Sequence, residues 1–426
     1  MGGSSLLLDN GNLIDGTGAD PVRPGAVLIS AEGTVAWAGS SAALPPLPAG
    51  TSRVDVGGAA LLPGFTDTHV HVLSPGGGGI NPLAGAVQPA SFRLLGAVRN
   101  LRATLDAGVT TIRDLGGADL GVKQAVDAGL VDGPRMLVAI ALISCTGGHG
   151  DSTFTSGLSL NNVSRISAVA DGPDECRQVT RALIRGGADW IKVASTGGVW
   201  SPTDQPDDDG LGEDEIRVIV EVARSHGGRR VASHAQGRDG ILNAVRAGVA
   251  SIEHGYQIDQ AAIDGMLERG TFLVPTLTTA TREPDPAKTL QVNYEKKMRW
   301  IRIAREHIPA ALQAGVRVAL GTDCGVADHG ANLTELARLA EFGLPPMQAI
   351  LAGTRNGAEL LGMGGEIGSL EPGKRADVVV ADADPLADIA ALADPGRIIM
   401  VIKDGRVVKD TRQLAAARPS PQAVPA

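Results

Sequence analysis

Apolar positions along the chain fall into two rhythms. From about Leu6 to Leu62, and again from Ile367 to Val408, short β-type runs are separated by Gly, Asn and Pro turns. The runs are SLLLDNGNLIDG, GAVLISAEGTVAWAGS and SRVDVGG near the start, and GSLEPGKRADVVVADADP and IIMVIKDGRVV near the end. That spacing belongs to hairpins. It predicts a small β-sandwich domain built from both termini, residues 1–62 and 365–412, with the rest of the chain inserted between them. Residues 413–426, which run into AAARPSPQAVPA, are small and Pro-rich and predict a disordered tail.

Residues 63–364 repeat a different unit: a short β-branched run, a loop, then an amphipathic stretch. The runs are LLPGFTDTHVHV, VTTIRDLGG, RMLVAIALIS, WIKVASTGG, RRVASHAQG, ASIEHGYQ, TFLVPTLTT and VRVALGTDCG. Between them lie segments such as EDEIRVIVEVARSHGG, RDGILNAVRAG and DQAAIDGMLERG, with apolar residues at i, i+3 and i+4 and a terminal Gly. Strand and helix alternating with crossovers of this length imply parallel strands. Eight such units predict an α/β fold of the (β/α)8 TIM-barrel type, whose chemistry sits where strands end and the following loops begin.

Composition narrows the function. The net charge is −9 and no basic run occurs, so the cationic surface that a nucleic acid needs is missing. The opening MGGSSLLLDN has no basic n-region, and no apolar run approaches the roughly 18 residues of a membrane helix, so a cytoplasmic protein with no membrane partner is expected. Cys145, Cys176 and Cys324 are widely spaced and odd in number, which suits neither a disulfide framework nor a thiolate zinc knuckle.

Only eight histidines are present, and four of them fall at predicted strand ends: His69 and His71 on the first run, His234 on the fifth and His254 on the sixth. Lys192 on the fourth run and Asp323 on the eighth join them at the same mouth. Two residues apart on a strand, His69 and His71 project to one side with roughly 6.5 Å between backbone positions, within reach of one ion. An HxH pair alone also suits a surface pair or satisfied core histidines; the four together point to metal. Lys192, between Trp190-Ile191 and Val193-Ala194, is penalised by desolvation as an ammonium. It either pairs with Asp323, snorkels to solvent, or as a neutral amine adds carbon dioxide to become a carbamate able to bridge two cations. Asp323 reads as a metal ligand that also takes a proton, or as a turn residue capping the next helix. Cys324 reads as filler, and Arg113-Asp114 as a structural ion pair within the barrel. His226, His307 and His329 read as solvent-facing.

These residues resemble the ligand positions of the amidohydrolase superfamily, and the resemblance covers nearly the whole chain. It is carried by THVH, WIKV, SHAQG, IEHG and GTDCG in that order, with PGFTDTHVH and GSLEPGKRADVVV at the borders of the small β-domain. CTGGHGD, DWIKVASTGG and IEHGY are similar to the branch of imidazolonepropionase-like hydrolases, Xaa-Pro dipeptidases and ochratoxin-hydrolysing enzymes. The resemblance implies two divalent cations, zinc first and cobalt or manganese acceptable. His69, His71 and Asp323 would hold the more buried one, His234 and His254 the outer one, and carbamylated Lys192 would bridge them. It implies a hydroxide held between the metals, Asp323 as general base and then general acid, and Tyr256 and His149 as hydrogen-bond donors to substrate.

The substrate expected is a small-molecule amide: a dipeptide of the Xaa-Pro type or an N-acyl amino acid. The alternative is a carbamate, a urea or a xenobiotic amide such as ochratoxin A; a deaminase or a non-catalytic scaffold is a further reading. True imidazolonepropionases and the deaminases generally lack the strand-four lysine, so Lys192 favours amide cleavage. The loops LSPGGGGINPLAGAVQPASF, TGGHGDSTFTSGLSLNNVSRIS and GGVWSPTDQPDDDG should form the pocket. Within them His149 is either a pocket residue or merely solvated, and Trp200 either lines an apolar subsite or covers the rim. Relatives of this kind often assemble, so a homo-oligomer is possible.

Overall fold

The strands of the two termini lie side by side in one sheet. In this computed structural model, which describes residues 4–77, 88–161, 167–201, 204–287, 289 and 291–415, β1 (Leu6–Leu13) pairs antiparallel with β2 (Val22–Ile29), which pairs with β3 (Val35–Ser40). On its other edge β1 is shared, parallel, by β4 (Ser52–Asp55) along its first half and β5 (Ala60–Pro63) along its second. The C-terminal β15 (Val378–Ala381), β16 (Ile398–Lys403) and β17 (Arg406–Asp410) continue the sheet from β5, all antiparallel. The eight strands form a single hydrogen-bonded sheet.

Period-two alternation explains how that sheet serves two cores at once. On β15, Val378 and Val380 enter the small core with Leu6, Leu8, Val27, Leu61, Met400 and Ile402. Val379 and Ala381, pointing the other way, enter the large core under the helices. Arg135 fastens the junction, reaching Asp377 at 2.9 Å and Asp404 at 2.6 Å. Of the expected tail, Leu414 and Ala415 pack against the small core and their amides donate to Asp410; residues 416–426 lie outside the described residues.

The inserted region is α/β and its strands are parallel. β6 (Phe65–Val70), β7 (Val109–Asp114) and β8 (Arg135–Val138) form one sheet. β10 (Ser167–Val169), β9 (Leu142–Ser144), β11 (Ile191–Ala194), β12 (Val231–Ala235), β13 (Ser251–His254) and β14 (Phe272–Val274) form another in that order. The run RMLVAIALIS, read as one strand, is broken into β8 and β9 at Ile140, whose φ is +69°. The eighth run, VRVALGTDCG, forms no ladder. It makes isolated parallel bridges, Leu273 with Val318 and Val70 with Cys324. Backbone bonds also link the residue before Trp190 to β8, Asp189 N–H donating to Val138 O at 2.8 Å, and β6 to the eighth run, Thr68 N–H donating to Leu320 O at 2.9 Å.

Helices follow the strands because each has one apolar stripe. In Glu213–Ser225, Ile216, Ile219, Val222 and Ala223 are buried; in Arg238–Ala247, Ile241, Ala244 and Val245 are. The latter stops at Gly248, which is left-handed at φ +90°, a conformation that needs no Cβ. Among the described residues no helix is long and apolar enough to cross a membrane.

Candidate metal centre

Parallel pairing puts the ends of β11, β12 and β13 at one edge, and His69 on β6 meets His254 of β13 there. His234 on β12 lies opposite Ala194 of β11 and Glu253 of β13, so register alone sets these side chains side by side. Strict alternation would then turn His254 away from Glu253, its neighbour in the chain. His254 instead has φ +72°, and both residues approach His69. Asp323, at φ +57°, and Thr276, at φ +49°, are left-handed as well. Such backbone is disfavoured for residues with a Cβ and concentrates at functional sites.

His69, His71 and Asp323 form a group able to hold a metal ion, their ligand atoms all within 4.8 Å of one another. His71 Nε2 is 3.4 Å from Asp323 Oδ1 and His69 Nε2 is 3.7 Å from it. The imidazoles are fixed from behind. His69 Nδ1 lies 2.8 Å from Glu253 Oε2, and His71 Nδ1 donates to Gly116 O at 2.9 Å. Each bond leaves the Nε2 lone pair facing Asp323, the arrangement a ligating histidine needs.

The other predicted residues close around this group. His254 is 5.2 Å from His69 and 4.6 Å from His234, ring centre to ring centre. His149 stacks on His234 at 3.9 Å, with its Nδ1 3.1 Å from Ser201 Oγ. His254 Nδ1 lies 2.8 Å from Thr276 Oγ1. The Tyr256 hydroxyl is 3.2 Å from the same Thr276 oxygen and 3.4 Å from His254 Nδ1. His234 departs from the pattern of the first pair: its Nε2 donates to Gly197 O at 3.0 Å, leaving Nδ1 as its lone pair.

Lys192 is 3% exposed, and among the described residues its Nζ has no hydrogen-bond partner. Burial pushes its pKa down to about 8. Burial also pushes Asp323 up to about 7, against the pull of Lys192 and Lys297. His71 is pushed down to about 4 and His149 to about 3 by the same desolvation, with Lys192 adding repulsion to both. The rings are therefore neutral, which is the metal-binding form. Two imidazole nitrogens and a carboxylate oxygen suit a divalent cation of the zinc, cobalt or manganese kind, and an ammonium left without any acceptor is what a missing charge beside it would produce.

A profile of the amidohydrolase family matches residues 60–408. The chain belongs to the amidohydrolase family. This amidohydrolase is 33% identical to an ochratoxinase of Aspergillus niger over 94% of its own length and 85% of the other's. It is 30% identical to the imidazolonepropionase of Salinispora arenicola over 89% of its length and 93% of the other's. Its fold superposes on a prolidase complexed with N-methylphosphonate-L-proline at a TM-score of 0.88, with 33% identity, over 95% of this chain and 100% of that one. It is accordingly a hydrolase that acts on carbon–nitrogen bonds.

Several residues take places other than those expected. Arg113 pairs not with Asp114 but with Glu253, at 2.8 Å, and lies 4.3 Å over the Trp190 ring. Neighbours on a strand face opposite ways, so Asp114 instead accepts from the amides of Val72, Gly116 and Ala118. His226 is exposed as expected, but His307 and His329 are half-buried and bonded to the carbonyls of Ile258 and Ser74. Cys324 is buried, its thiol on Asp328 O at 3.2 Å. Sequence reading passed over Glu253 altogether. A carboxylate inside the apolar run ASIEHG, one residue before a candidate ligand, was the available signal. Residues 78–87, 162–166 and 202–203, parts of the three expected pocket loops, lie outside the described residues.

Proposed function

We propose that this amidohydrolase is a binuclear metal-dependent enzyme that cleaves the amide bond of dipeptides or N-acyl amino acids, on a closed (β/α)8 barrel carrying its site at the strand ends. The observation that carries the reading is Lys192: a buried amine with no partner among the described residues, its charge acting on His69, His71, Asp323, His234 and His254. As a carbamate, Lys192 would present two oxygens to both cations, with His69, His71 and Asp323 on the inner one and His234 and His254 on the outer. Divalent cations held there acidify water and polarise a carbonyl.

The remaining chemistry falls to side chains. Asp323 accepts the proton of the attacking water and returns it to the leaving nitrogen, a base that becomes an acid. His149, stacked against His234, and Tyr256, beside His254, are the donors available to the carbonyl oxygen as charge develops on it. The Tyr256 hydroxyl lies 3.2 Å from Thr276 Oγ1, and with Thr276 as the donor the phenol proton stays free for the substrate carbonyl. The likeness to prolidase supports the dipeptide class. Likeness to ochratoxinase supports a second reading, a xenobiotic amide, on the same residues.

Metal analysis of the purified protein, followed by a dipeptide and N-acyl amino acid panel after reconstitution with zinc, cobalt or manganese, tests the reading. Stoichiometric metal, loss of turnover with chelator and release of free amino acid are expected. A metal-free protein at full activity would overturn it, and ammonia release from nucleobases without peptide cleavage would replace it with a deaminase.

A further inference from the structure

One buried hydroxyl stands behind both His254 and Tyr256. Thr276 places its Oγ1 2.8 Å from His254 Nδ1 and 3.2 Å from the Tyr256 hydroxyl. A ligating imidazole that offers Nε2 carries its proton on Nδ1, so His254 donates to Thr276 Oγ1. The threonine proton must then go elsewhere, and among the described residues the one remaining partner of Oγ1 is the Tyr256 oxygen. A single O–H, used in one direction, therefore fixes both the lone pair of His254 and the phenol of Tyr256.

This geometry needs a backbone that threonine resists. Thr276 is left-handed at φ +49° and ψ +46°, a region where β-branched residues are outliers. Its surroundings hold it there. Glu335, buried on the helix Thr334–Glu341, accepts from the amides of Leu277 and Thr278 and from Thr278 Oγ1, each at 2.7 Å. Thr276 O accepts from the amides of Thr279 and Ala280, at 3.1 and 2.8 Å, which closes the turn. From the other end, buried Lys297 Nζ donates to Thr279 O at 2.7 Å and to Ala280 O at 3.0 Å. The short helix Leu277–Ala280 is thus gripped by a carboxyl group at its free amides and an amino group at its free carbonyls. Thr279 Oγ1 donates to Thr322 O at 2.9 Å, one residue before Asp323, so the same turn reaches both sides of the candidate metal centre.

We infer that Thr276 is a positioning residue for the hydrolysis: its hydroxyl keeps His254 in the ligating tautomer and Tyr256 with its proton turned to the substrate, while Glu335 and Lys297 keep Thr276 in place. Both roles rest on the function proposed above, in which His254 binds the outer cation and Tyr256 donates to the scissile carbonyl. Valine at this position has the shape and backbone preferences of threonine but no hydroxyl. Serine keeps the hydroxyl and loses only a methyl group. The two substitutions separate hydrogen bonding from packing.

Wild type, Thr276→Val, Thr276→Ser and Glu335→Gln are compared by chelator competition for zinc, by turnover of Ala-Pro, and by the NMR signal of tyrosine labelled at Cζ. The chain has only two tyrosines, Tyr256 and Tyr294, so Tyr294→Phe assigns the Tyr256 signal. Thr276→Val is expected to lose about 10- to 100-fold in metal affinity and in kcat, the usual effect of removing an orienting partner, with KM within about threefold of wild type. Its Tyr256 signal shifts in the metal-free protein. Thr276→Ser recovers most of each. Glu335→Gln sets a donor against the donors of the turn, so it moves every readout toward Thr276→Val with the hydroxyl still present, and it carries the comparison if Thr276→Val does not fold. Unchanged affinity and kcat in Thr276→Val, or equal loss in the valine and serine variants, overturns the assignment; an unmoved Tyr256 signal in Glu335→Gln overturns the grip on the turn. Should wild type cleave no peptide, the functional reading fails, and metal affinity and the Tyr256 signal judge Thr276 alone. Loss with valine and recovery with serine uphold it; no difference overturns it.

Discussion

Glu253 holds His69 and Arg113 at once, Oε2 lying 2.8 Å from the imidazole Nδ1 and Oε1 accepting from the guanidinium at 2.8 Å. Ser251 donates to the same Oε1. All three partners are buried, so the carboxylate both orients a candidate ligand and neutralises Arg113. Glu253→Gln keeps the shape but offers an amide N–H where one partner requires an acceptor. The expected result is a fall of about 10- to 100-fold in metal affinity, the usual effect of losing such an orienting partner. Chelator competition reads it, and unchanged affinity would show that His69 needs no orienting carboxylate.

Lys192→Ala removes the buried amine that has no acceptor among the described residues. Turnover should be lost, and metal analysis should show the second cation gone while the His69–His71–Asp323 group retains its own. Short carboxylic acids added to the variant should restore part of the rate by supplying the two missing oxygens. Full activity with both metals in Lys192→Ala would remove the bridge.

Gly198 lies against the His149 ring, where a Cβ would collide with Nδ1 and Cε1. That ring is stacked on His234 at 3.9 Å. Gly198→Ala should therefore displace His149 and lower kcat by about 10- to 100-fold, as expected for a lost transition-state donor, with metal content unchanged. Wild-type kcat in this variant would exclude His149 from catalysis.

Arg135, at the start of β8, bridges Asp377 and Asp404 across the junction with the small sheet and also donates to Thr111. Asp377 is 4% exposed and would be left as an unpaired buried charge in Arg135→Met. A loss of about 3–5 kcal/mol is expected on breaking one side of such a pair. Thermal unfolding of the metal-loaded protein measures it, and an unshifted midpoint would mean that the two parts of the fold do not depend on this contact.

The alternation of apolar residues along 63–364 was enough to read parallel strands and covering helices, because period 2 and period 3.6 are local properties of the chain. It also placed His69, His71, Lys192, His234, His254 and Asp323 at the ends of short apolar runs, and the structure brings these side chains together. The broken third run was not legible. Ile140 lies in the left-handed region, where a β-branched residue has no local reason to be, so tertiary packing imposes that turn.

What the sequence determined by itself was the order of elements, the family and the identity of the groups at the strand ends, because these follow from spacing and residue chemistry. Only the tertiary structure decided which partner each group meets. Glu253 turns to His69 and Arg113, Arg113 leaves Asp114 for a strand far along the chain, and Glu335 and Lys297 close on the turn that carries Thr276. Those outcomes depend on strand register, on the left-handed backbone at His254 and Asp323, and on which groups happen to surround a buried charge. Such distances between remote segments are fixed only when the whole chain has packed.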